Sequence, residues 1–401
     1  MKVVVIGQGY VGLSLAVAAA GKNRVIGIDH NQELVAHLKA GVSHIEGIAS
    51  AELKTLISQG RYEASSDFSK LTDAEVVVIA VPTPLDTARK PDLSFIEQAC
   101  KAIAENVKQP ALIINESTSY PGTLRDLIKP SIEGASRTVI EHRYAVAPER
   151  VDPGNPEFTQ RNTPRIVAGL TAEAAQEAKA FYVGFCGEIV EVSTPEVAEA
   201  AKLFENTFRQ VNIALVNEFA QISHALGVSV YEVLAAADTK PFGFMKFNPS
   251  AGVGGHCIPV DPTYLASAAE SAGASAAFIR LANDVNRGMA EYVVGRVEAD
   301  NGGSLQGKSV LVVGVSYKAN VADVRESAAE LVIEHLRGRG AVVSWHDDVV
   351  GRWRGESSAP LAGADIAIVV TKHDAVSDKA IVASARYVFD TTGKIKGVKG
   401  L

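Results

Sequence analysis

Cys257 lies in the most unusual segment of the sequence. Residues 252–255 before it are mostly glycine, and prolines follow at positions 259 and 262, so the segment is a constrained loop and unlike a core segment. His256 directly precedes the cysteine, and Asp261 lies four residues after it. A thiolate is a strong nucleophile, and Cys257 is therefore a candidate for covalent catalysis.

A second group of polar side chains repeats with helical spacing. Lys202, Asn206 and Arg209 fall at positions i, i+4 and i+7 of a long helical pattern, so they share one helix face. A lysine, an amide and a guanidinium in a row could stabilise negative charge that develops on a substrate. A solvated helix face explains the same spacing equally well, and spacing alone leaves both interpretations open.

The third motif is glycine-rich and follows an apolar strand pattern. In Gly7-Gln8-Gly9-Tyr10-Val11-Gly12 the glycines permit a tight turn, close approach of a pyrophosphate and close packing of a helix on a strand. Tyr10 and Val11 begin the helical pattern, whose N-terminal amides can bind phosphate. The alternative is a glycine-rich turn that binds no cofactor.

Asp29 supports the cofactor interpretation. It ends the second predicted strand, about twenty residues beyond the glycines, where a carboxylate can accept the ribose hydroxyls. A carboxylate would repel a ribose phosphate, so we predict NAD rather than NADP. Thr83, at the end of another predicted strand, is either a further cofactor contact or the cap of a loop.

The elements that must position these residues fall into three parts. The first half alternates apolar strands (residues 3–6, 25–28, 76–81 and 112–115) with helical patterns (residues 32–39 and 95–107), which predicts a doubly wound parallel sheet. A glycine-free helical pattern follows from Glu196 to about Leu226, and a second helical block covers residues 262–300, interrupted at Gly273 and Gly288.

Strand patterns resume after Asn301-Gly302-Gly303-Ser304, at residues 309–313, 342–345, 366–370 and 387–390. We therefore predict two Rossmann-like doubly wound domains, residues 1–195 and 305–401. A helical central domain, residues 196–304, joins them and carries the Cys257 loop.

Composition narrows the class of protein. The formal net charge of −7 disfavours nucleic acid as a partner, and apolar runs are too short to predict a membrane span. Gly7, Gly9 and Gly12 interrupt the apolar run that would otherwise resemble a secretory signal. The three cysteines are widely spaced, which predicts neither disulfides nor a metal site and favours the reducing cytoplasm.

Taken together and in order, these motifs closely resemble the UDP-glucose/GDP-mannose dehydrogenase family over essentially the full chain. Further matching stretches lie at residues 116–123, 148–155, 205–209, 239–244 and 317–327. Several of them look like the branch that oxidises UDP-N-acetylglucosamine at C6 for surface polysaccharides. UDP-glucose enzymes usually lack an arginine at the place of Arg209. UDP-glucose and UDP-N-acetylmannosamine remain the alternative substrates.

The resemblance implies a four-electron oxidation by NAD in which Cys257 carries the sugar as a thiohemiacetal and then a thioester. It implies that Lys202 and Asn206 stabilise oxyanions, and that Asp261, Glu149 and Thr118 position or deprotonate water. Thr118 and Arg325 join the cofactor contacts, and the long central helix forms a homodimer interface. The substrate contacts that it implies are Arg150, Lys202, Asn206, Arg209, Phe247, Gly254 and Lys318.

Two other classes of function stay open from the sequence. A one-step hydroxyacid or sugar-phosphate dehydrogenase would need no cysteine nucleophile, and a cofactor-binding module without catalysis would need neither Cys257 nor Lys202.

Overall fold

The structure, a computed structural model, describes residues 1–45, 47–136, 138–151 and 157–401, which group into two compact units. The first unit comprises Met1–Glu205 with Ser267–Gly273, and the second comprises Asn206–Ala266 with Ala274–Leu401. The division into three domains at residues 195 and 304 stays a prediction. Residues 152–155 of the 148–155 motif lie outside the described part of the chain.

The described residues of the first unit contain one large sheet. Its strands, in chain order, are β1 Lys2–Ile6, β2 Arg24–Ile28, β3 Tyr62–Ser65, β4 Val76–Ile79, β5 Leu112–Asn115, β6 Arg143–Val146, β7 Arg165–Gly169 and β8 Ile189–Glu191. They lie in the order β3-β2-β1-β4-β5-β6-β7-β8, parallel except where β6 meets β7. The order reverses between β1 and β4, which is where doubly wound sheets bind ligands.

Helices cover this sheet because its central strands are apolar on both faces. Val3, Val4 and Val5 of β1 are fully buried. The helices are α1 Tyr10–Ala20, α2 Gln32–Lys39, α3 Ser50–Ser58, α4 Ser94–Asn106, α5 Lys129–Ala135 and α6 Ala172–Val183. The side chain of Asn31 caps α2 by accepting hydrogen bonds from the amides of Glu33 and Leu34.

The middle of the chain is helical, as predicted. The helices are α7 Pro195–Ala225, α8 Val230–Ala237, α9 Asp261–Ser271 and α10 Ala277–Asp300. Buried amides join α7 to α10, with Asn217 Nδ2 donating to Asn286 Oδ1 at 2.9 Å. The predicted interruption at Gly288 is wrong, because this residue lies inside α10, and a single glycine costs a helix interior only about 1 kcal/mol relative to alanine.

The second α/β part has the predicted parallel sheet. Its strands are β9 Ser309–Val313, β10 Val342–His346, the hairpin β11 Arg352–Trp353 and β12 Glu356–Ser357, then β13 Ala364–Val369, β14 Ala385–Asp390 and β15 Lys399–Gly400. Within the described residues the sheet order is β10-β9-β13-β14-β15. The helices are α11 Ala328–Gly338, capped by Ser327, and α12 Asp378–Ala383, capped by Ser377.

Candidate active site

Gly7 forms the turn between β1 and α1. Its φ is +91°, and a Cβ there would lie 2.4 Å from the carbonyl oxygen of Ala80. A Cβ on Gly12 would lie 1.8 Å from the carbonyl oxygen of Gly7, so α1 packs directly on the turn. A Cβ on Gly9 would meet no atom of the described residues within 4 Å. The loop therefore has no space for a side chain at Gly7 or Gly12, whereas Gly9 is open to a ligand.

Asp29 lies beside this loop, just after β2. Its Oδ2 accepts a hydrogen bond from the Gln8 amide at 2.8 Å, and its Oδ1 accepts one from the Asn31 amide at 2.9 Å. Tyr10 and Val11, both half-buried, form the first turn of α1. A tight glycine turn, an open position at Gly9 and a fixed carboxylate after the neighbouring strand together fit NAD.

The ends of β4 and β5 are tied together by Ser117. Its hydroxyl accepts a hydrogen bond from the Val81 amide and donates one to the Val81 carbonyl, both at 2.9 Å. Thr83 and Thr118, both half-buried, follow these two strands. The predicted threonines are therefore placed on neighbouring segments at the edge where doubly wound sheets bind ligands.

Glu149 follows β6, the next strand along, and is 8% exposed. Its carboxylate accepts a hydrogen bond from the Val151 amide. Two residues earlier, the Ala147 carbonyl accepts a hydrogen bond at 3.2 Å from Nη1 of Arg165, which also donates to Glu116 Oε1 at 2.7 Å. A single buried guanidinium thus joins the ends of β5 and β6.

No role for Arg165 or Glu116 was predicted from the sequence. Tyr182 also donates a hydrogen bond to Glu116, and the Arg165 guanidinium lies 4.7 Å from the Tyr182 ring centroid. Burial raises the pKa of Glu116, and Arg165 opposes that rise. Arg165 begins an apolar strand and Tyr182 lies in an apolar run, so no spacing in the sequence marks either residue as part of a polar cluster.

The predicted face of α7 is divided in its exposure. Lys202 and Asn206 are buried, at 7% and 9% exposure, whereas Arg209 is exposed. The solvated-face interpretation therefore applies to Arg209 alone. Arg150 is engaged within the first unit, where its guanidinium pairs with Glu205 through contacts of 2.6 and 3.0 Å.

The Cys257 loop is held against the segment after β9 within the second unit. A Cβ on Gly254 would lie 2.9 Å from both Tyr317 Cβ and the Glu326 carbonyl oxygen. Gly255 has a φ of +84°, and its amide donates to the Arg325 carbonyl at 3.1 Å. The glycines before Cys257 are therefore required by close packing and by backbone conformation.

Cys257 is half-buried and begins the turn that leads into α9. Its carbonyl accepts hydrogen bonds from the amides of Val260 at 3.1 Å and Asp261 at 2.8 Å. Its Sγ lies 2.9 Å from His256 Nδ1. Asp261 is 1% exposed, and its Oδ2 accepts a hydrogen bond from Asn206 Nδ2 at 2.5 Å. Three predicted residues are thus close together, with His256 as a fourth that the sequence analysis left without a role.

Three further predicted residues, Arg325, Lys318 and Phe247, lie in the second unit. Arg325 Nε donates to Asp323 Oδ1 at 2.9 Å. Lys318 lies in the same segment, and its carbonyl accepts a hydrogen bond from Ser316. The Phe247 ring packs edge-on against Phe208, with centroids 6.0 Å apart.

Three segments of the chain match the three domains of one family. Residues 1–185 match the NAD binding domain of the UDP-glucose/GDP-mannose dehydrogenase family, residues 196–288 its central domain, and residues 311–397 its UDP binding domain. The chain belongs to this family. It is an NAD-dependent nucleotide-sugar dehydrogenase, which confirms the predicted enzyme class and cofactor.

Individual relatives of this dehydrogenase cover most of its length. The chain is 34% identical to the UDP-N-acetyl-D-mannosamine dehydrogenase of Pyrococcus horikoshii, across 93% of this chain and 90% of that one. It is 35% identical to the UDP-N-acetyl-D-glucosamine 6-dehydrogenase of Pseudomonas aeruginosa, across 84% and 80% respectively. The solved structure of the P. horikoshii enzyme matches with a TM-score of 0.91 at 33% identity, covering 100% of this chain and 99% of that one.

The described residues of the dehydrogenase offer neither a metal site nor a membrane-spanning helix. No group of three or more His, Cys, Asp or Glu side chains among them could hold a metal ion. None of the helices in that part of the chain combines the length and apolar character needed to cross a membrane.

Proposed function

We propose that this enzyme oxidises the C6 primary alcohol of a UDP-N-acetylhexosamine, with UDP-N-acetylglucosamine as the first choice, to the uronic acid. The observation that carries the proposal is the turn that begins at Cys257. The Asp261 amide donates to the Cys257 carbonyl, and the buried Asp261 carboxylate accepts a hydrogen bond from Asn206. A half-buried thiol beside a buried carboxylate and amide suits covalent catalysis on a carbonyl carbon. A one-step dehydrogenase has no use for this arrangement.

The residues of the chain take distinct roles in this scheme. When bound, NAD would supply the hydride acceptor, with one molecule used for each of the two oxidations. Cys257 Sγ bonds to the aldehyde carbon after the first oxidation and is released from the acyl group when water attacks. Lys202 and Asn206, both buried on α7, stabilise the oxygen as it becomes negative, because a buried donor interacts strongly with charge.

Water activation falls to the carboxylates of the scheme. In this proposal Asp261 and Glu149, both buried, orient or deprotonate the attacking water, and Thr118 helps to hold it. Gly7, Gly9, Gly12, Tyr10, Val11, Asp29 and Thr83 bind NAD in this proposal. Arg325 contacts the cofactor, while Arg150, Arg209, Phe247, Gly254 and Lys318 contact the UDP-sugar.

The acetamido sugar is favoured over glucose by the relatives and by Arg209. The enzymes from P. aeruginosa and P. horikoshii act, by their names, on N-acetylglucosamine and N-acetylmannosamine derivatives. UDP-N-acetylmannosamine is therefore the second candidate, and UDP-glucose is the third. The product would be a precursor for surface polysaccharide, made in the cytoplasm.

A homodimer through α7 accompanies this proposal. The helix carries exposed apolar side chains along one stripe, with Phe204 at 65% and Leu215 at 63% exposure, and with Phe208 and Ile222 at 42% and 45%. Water-exposed apolar stripes of this length usually mark an interface. Leu215→Asp should convert the dimer to monomer in sedimentation, whereas Glu218→Gln, on the same helix, should leave the dimer intact.

The decisive experiment is turnover on a panel of UDP-sugars. The four substrates are the UDP derivatives of N-acetylglucosamine, N-acetylmannosamine, N-acetylgalactosamine and glucose. We expect the highest kcat/KM for the first and two NADH per sugar consumed. Cys257→Ser should retain NAD and sugar binding but lose turnover by about 1,000-fold or more, while Cys100→Ala should remain active. One NADH per sugar, or an active Cys257→Ser enzyme, would contradict the covalent scheme.

A further inference from the structure

His256 contacts the atom that the proposed reaction uses. Its Nδ1 lies 2.9 Å from Cys257 Sγ, within hydrogen-bonding distance for sulfur. A neutral imidazole with its proton on Nε2 presents Nδ1 as an acceptor, and the thiol S–H is a donor. The contact therefore gives the thiol proton a place to go.

The backbone holds the two side chains in this relation. The amide of Gly255 is fixed to the Arg325 carbonyl at 3.1 Å, and the Cys257 carbonyl is fixed by the amides of Val260 and Asp261. Both anchors flank the His256–Cys257 pair directly. The turn also places Cys257 at the N-terminal side of α9, where the helix favours a negatively charged sulfur.

The charged groups around the pair favour its charge-separated form. Although burial raises the pKa of Asp323, its hydrogen bonds with Arg325 lower it overall, and the charge of His256 adds to that lowering. Asp323 thus stays ionised within electrostatic reach of the imidazole. The pKa of Arg325 is raised despite burial, chiefly by Asp323 and also by Tyr317 and Cys257. The negative charge of Asp323 thus favours a protonated imidazole, and the positive charge of Arg325 favours a thiolate.

We propose that His256 is a catalytic residue that takes the proton of the Cys257 thiol and later returns it. The proposal rests on the covalent role of Cys257 given above. When Sγ bonds to the aldehyde carbon, its proton moves to His256 Nδ1, and the carbonyl π electrons move to the oxygen. A bound NAD would accept hydride from the same carbon, and this oxidation would leave a thioester on Sγ. Water then bonds to the acyl carbon and gives up a proton to Asp261 or Glu149. The C–S bond breaks with its electron pair on Sγ, and His256 Nδ1 returns its proton to Sγ.

The test measures how fast iodoacetamide alkylates Cys257 at different pH values. The full-length enzyme is used with and without NAD, and the modified peptide is quantified by mass spectrometry, so the buried Cys100 and Cys186 do not interfere. His256→Asn places an amide where Nδ1 was, without a basic nitrogen, and His256→Ala removes the group. His37→Asn, at an exposed position of α2, is the matched control.

We expect both His256 variants to alkylate about tenfold more slowly near pH 7, with the midpoint of the rate profile moved toward the ordinary thiol pKa of about 8.5. Their kcat should fall by about 100-fold or more at unchanged NAD affinity. His37→Asn should behave as the wild-type enzyme. If His256→Asn binds NAD normally and alkylates with the wild-type rate and midpoint, the role of His256 is wrong. Alkylation needs no sugar turnover, so a failure to oxidise any UDP-sugar would count against the proposed function and not against this contact.

Discussion

The two parallel sheets of this dehydrogenase begin with the same turn. Gly7 after β1 has a φ of +91°, and Gly314 after β9 has a φ of +83°. The amide of Gly7 donates to the Ile28 carbonyl, and the amide of Gly314 donates to the His346 carbonyl, each at 2.8 Å. Both glycines thus connect the first strand of a sheet to the end of its second strand in the same way.

The chain then follows different courses. In the first unit α1 begins at Tyr10, so helix amides come directly after the turn. In the second unit α11 begins only at Ala328, and the intervening segment packs on the Cys257 loop through the Arg325 carbonyl. One turn thus introduces a helix whose free N-terminal amides can bind phosphate, and its counterpart introduces a segment that packs on the Cys257 loop.

The acidic residue after the second strand differs too. Asp29 accepts two backbone hydrogen bonds and keeps an 11% exposed side chain. Asp347, at the equivalent place after β10, is fully buried and accepts from four backbone amides and from His373. Both carboxylate oxygens of Asp347 are occupied by these hydrogen bonds, so the residue stabilises the fold and offers no acceptor to a ligand. The same position in two related sheets is therefore available to a ribose in one and not in the other.

The glycines after the first turn should give the largest difference between the two units. Gly12→Ala should weaken NAD binding by more than about 100-fold and lower Tm, because its Cβ would lie 1.8 Å from the Gly7 carbonyl oxygen. Gly9→Ala fits the protein, so it should leave Tm unchanged and still weaken NAD binding by about tenfold.

The control in the second unit is Gly314→Ala, whose Cβ would lie 1.8 Å from the Thr371 carbonyl oxygen. It should lower Tm and leave the NAD dissociation constant unchanged, as measured by calorimetry below the unfolding transition. A loss of NAD affinity in Gly314→Ala as large as that in Gly12→Ala would break the comparison.

The two aspartates should separate binding from stability, with an effect of about 1.4 to 2 kcal/mol in each case. Asp29→Asn should weaken NAD binding by about tenfold or more with little change in Tm, because it loses charged acceptors for the ribose. Although burial raises the pKa of Asp347, hydrogen bonds from His373 and backbone amides hold it at about 2. Asp347→Asn should therefore cost about 2 kcal/mol of stability and leave NAD affinity intact. Calorimetry measures NAD affinity and denaturant unfolding measures stability. A loss of NAD affinity in Asp347→Asn, or a loss of stability in Asp29→Asn, would contradict these roles.

The sequence predicted what depends on local pattern. Gln32–Lys39, Leu112–Asn115 and Ser309–Val313 lie where the periodicity placed them. β4 ends at Ile79, two residues earlier than predicted, because the Val81 amide donates its hydrogen bond to the Ser117 hydroxyl and not to a neighbouring strand. The strands β3, β6, β7 and β8 were not predicted. The sequences of β3 and β8 mix apolar with polar residues, whereas β6 and β7 each begin with an arginine that follows a polar segment.

The candidate site was less accessible to sequence reasoning. The proximity of Asn206 to Asp261, 55 residues apart, follows from tertiary packing and has no local signal. Arg165 looks like the polar start of an ordinary strand, and only the fold shows that it bonds to Glu116 and Ala147. His256 could have been noticed from its position beside Cys257, but its direction toward Sγ depends on the turn that follows.

The smallest expected effect is a difference between the two units in how their stability responds to pH. Glu199 of α7 belongs to the first unit and accepts hydrogen bonds from the amides of Gly122 at 2.7 Å and Leu124 at 3.1 Å. Burial raises the pKa of its carboxyl to about 7. The folded chain thus holds this proton more tightly than the unfolded chain, and the stability it contributes is lost as pH rises through about 7. For Asp347 the sign is reversed, because its contribution is lost only as pH falls toward about 2.

Raising the pH from about 6 to about 7.5 should therefore destabilise the first unit by about 1 kcal/mol and leave the second unaffected. Hydrogen exchange, corrected for the intrinsic pH dependence of amide exchange, can follow peptides around residues 122–128 and 342–350 separately. Glu199→Gln should abolish the pH effect in the first peptide. Equal changes in both peptides would mean that the two units open together and that the difference in their buried carboxylates does not control local stability.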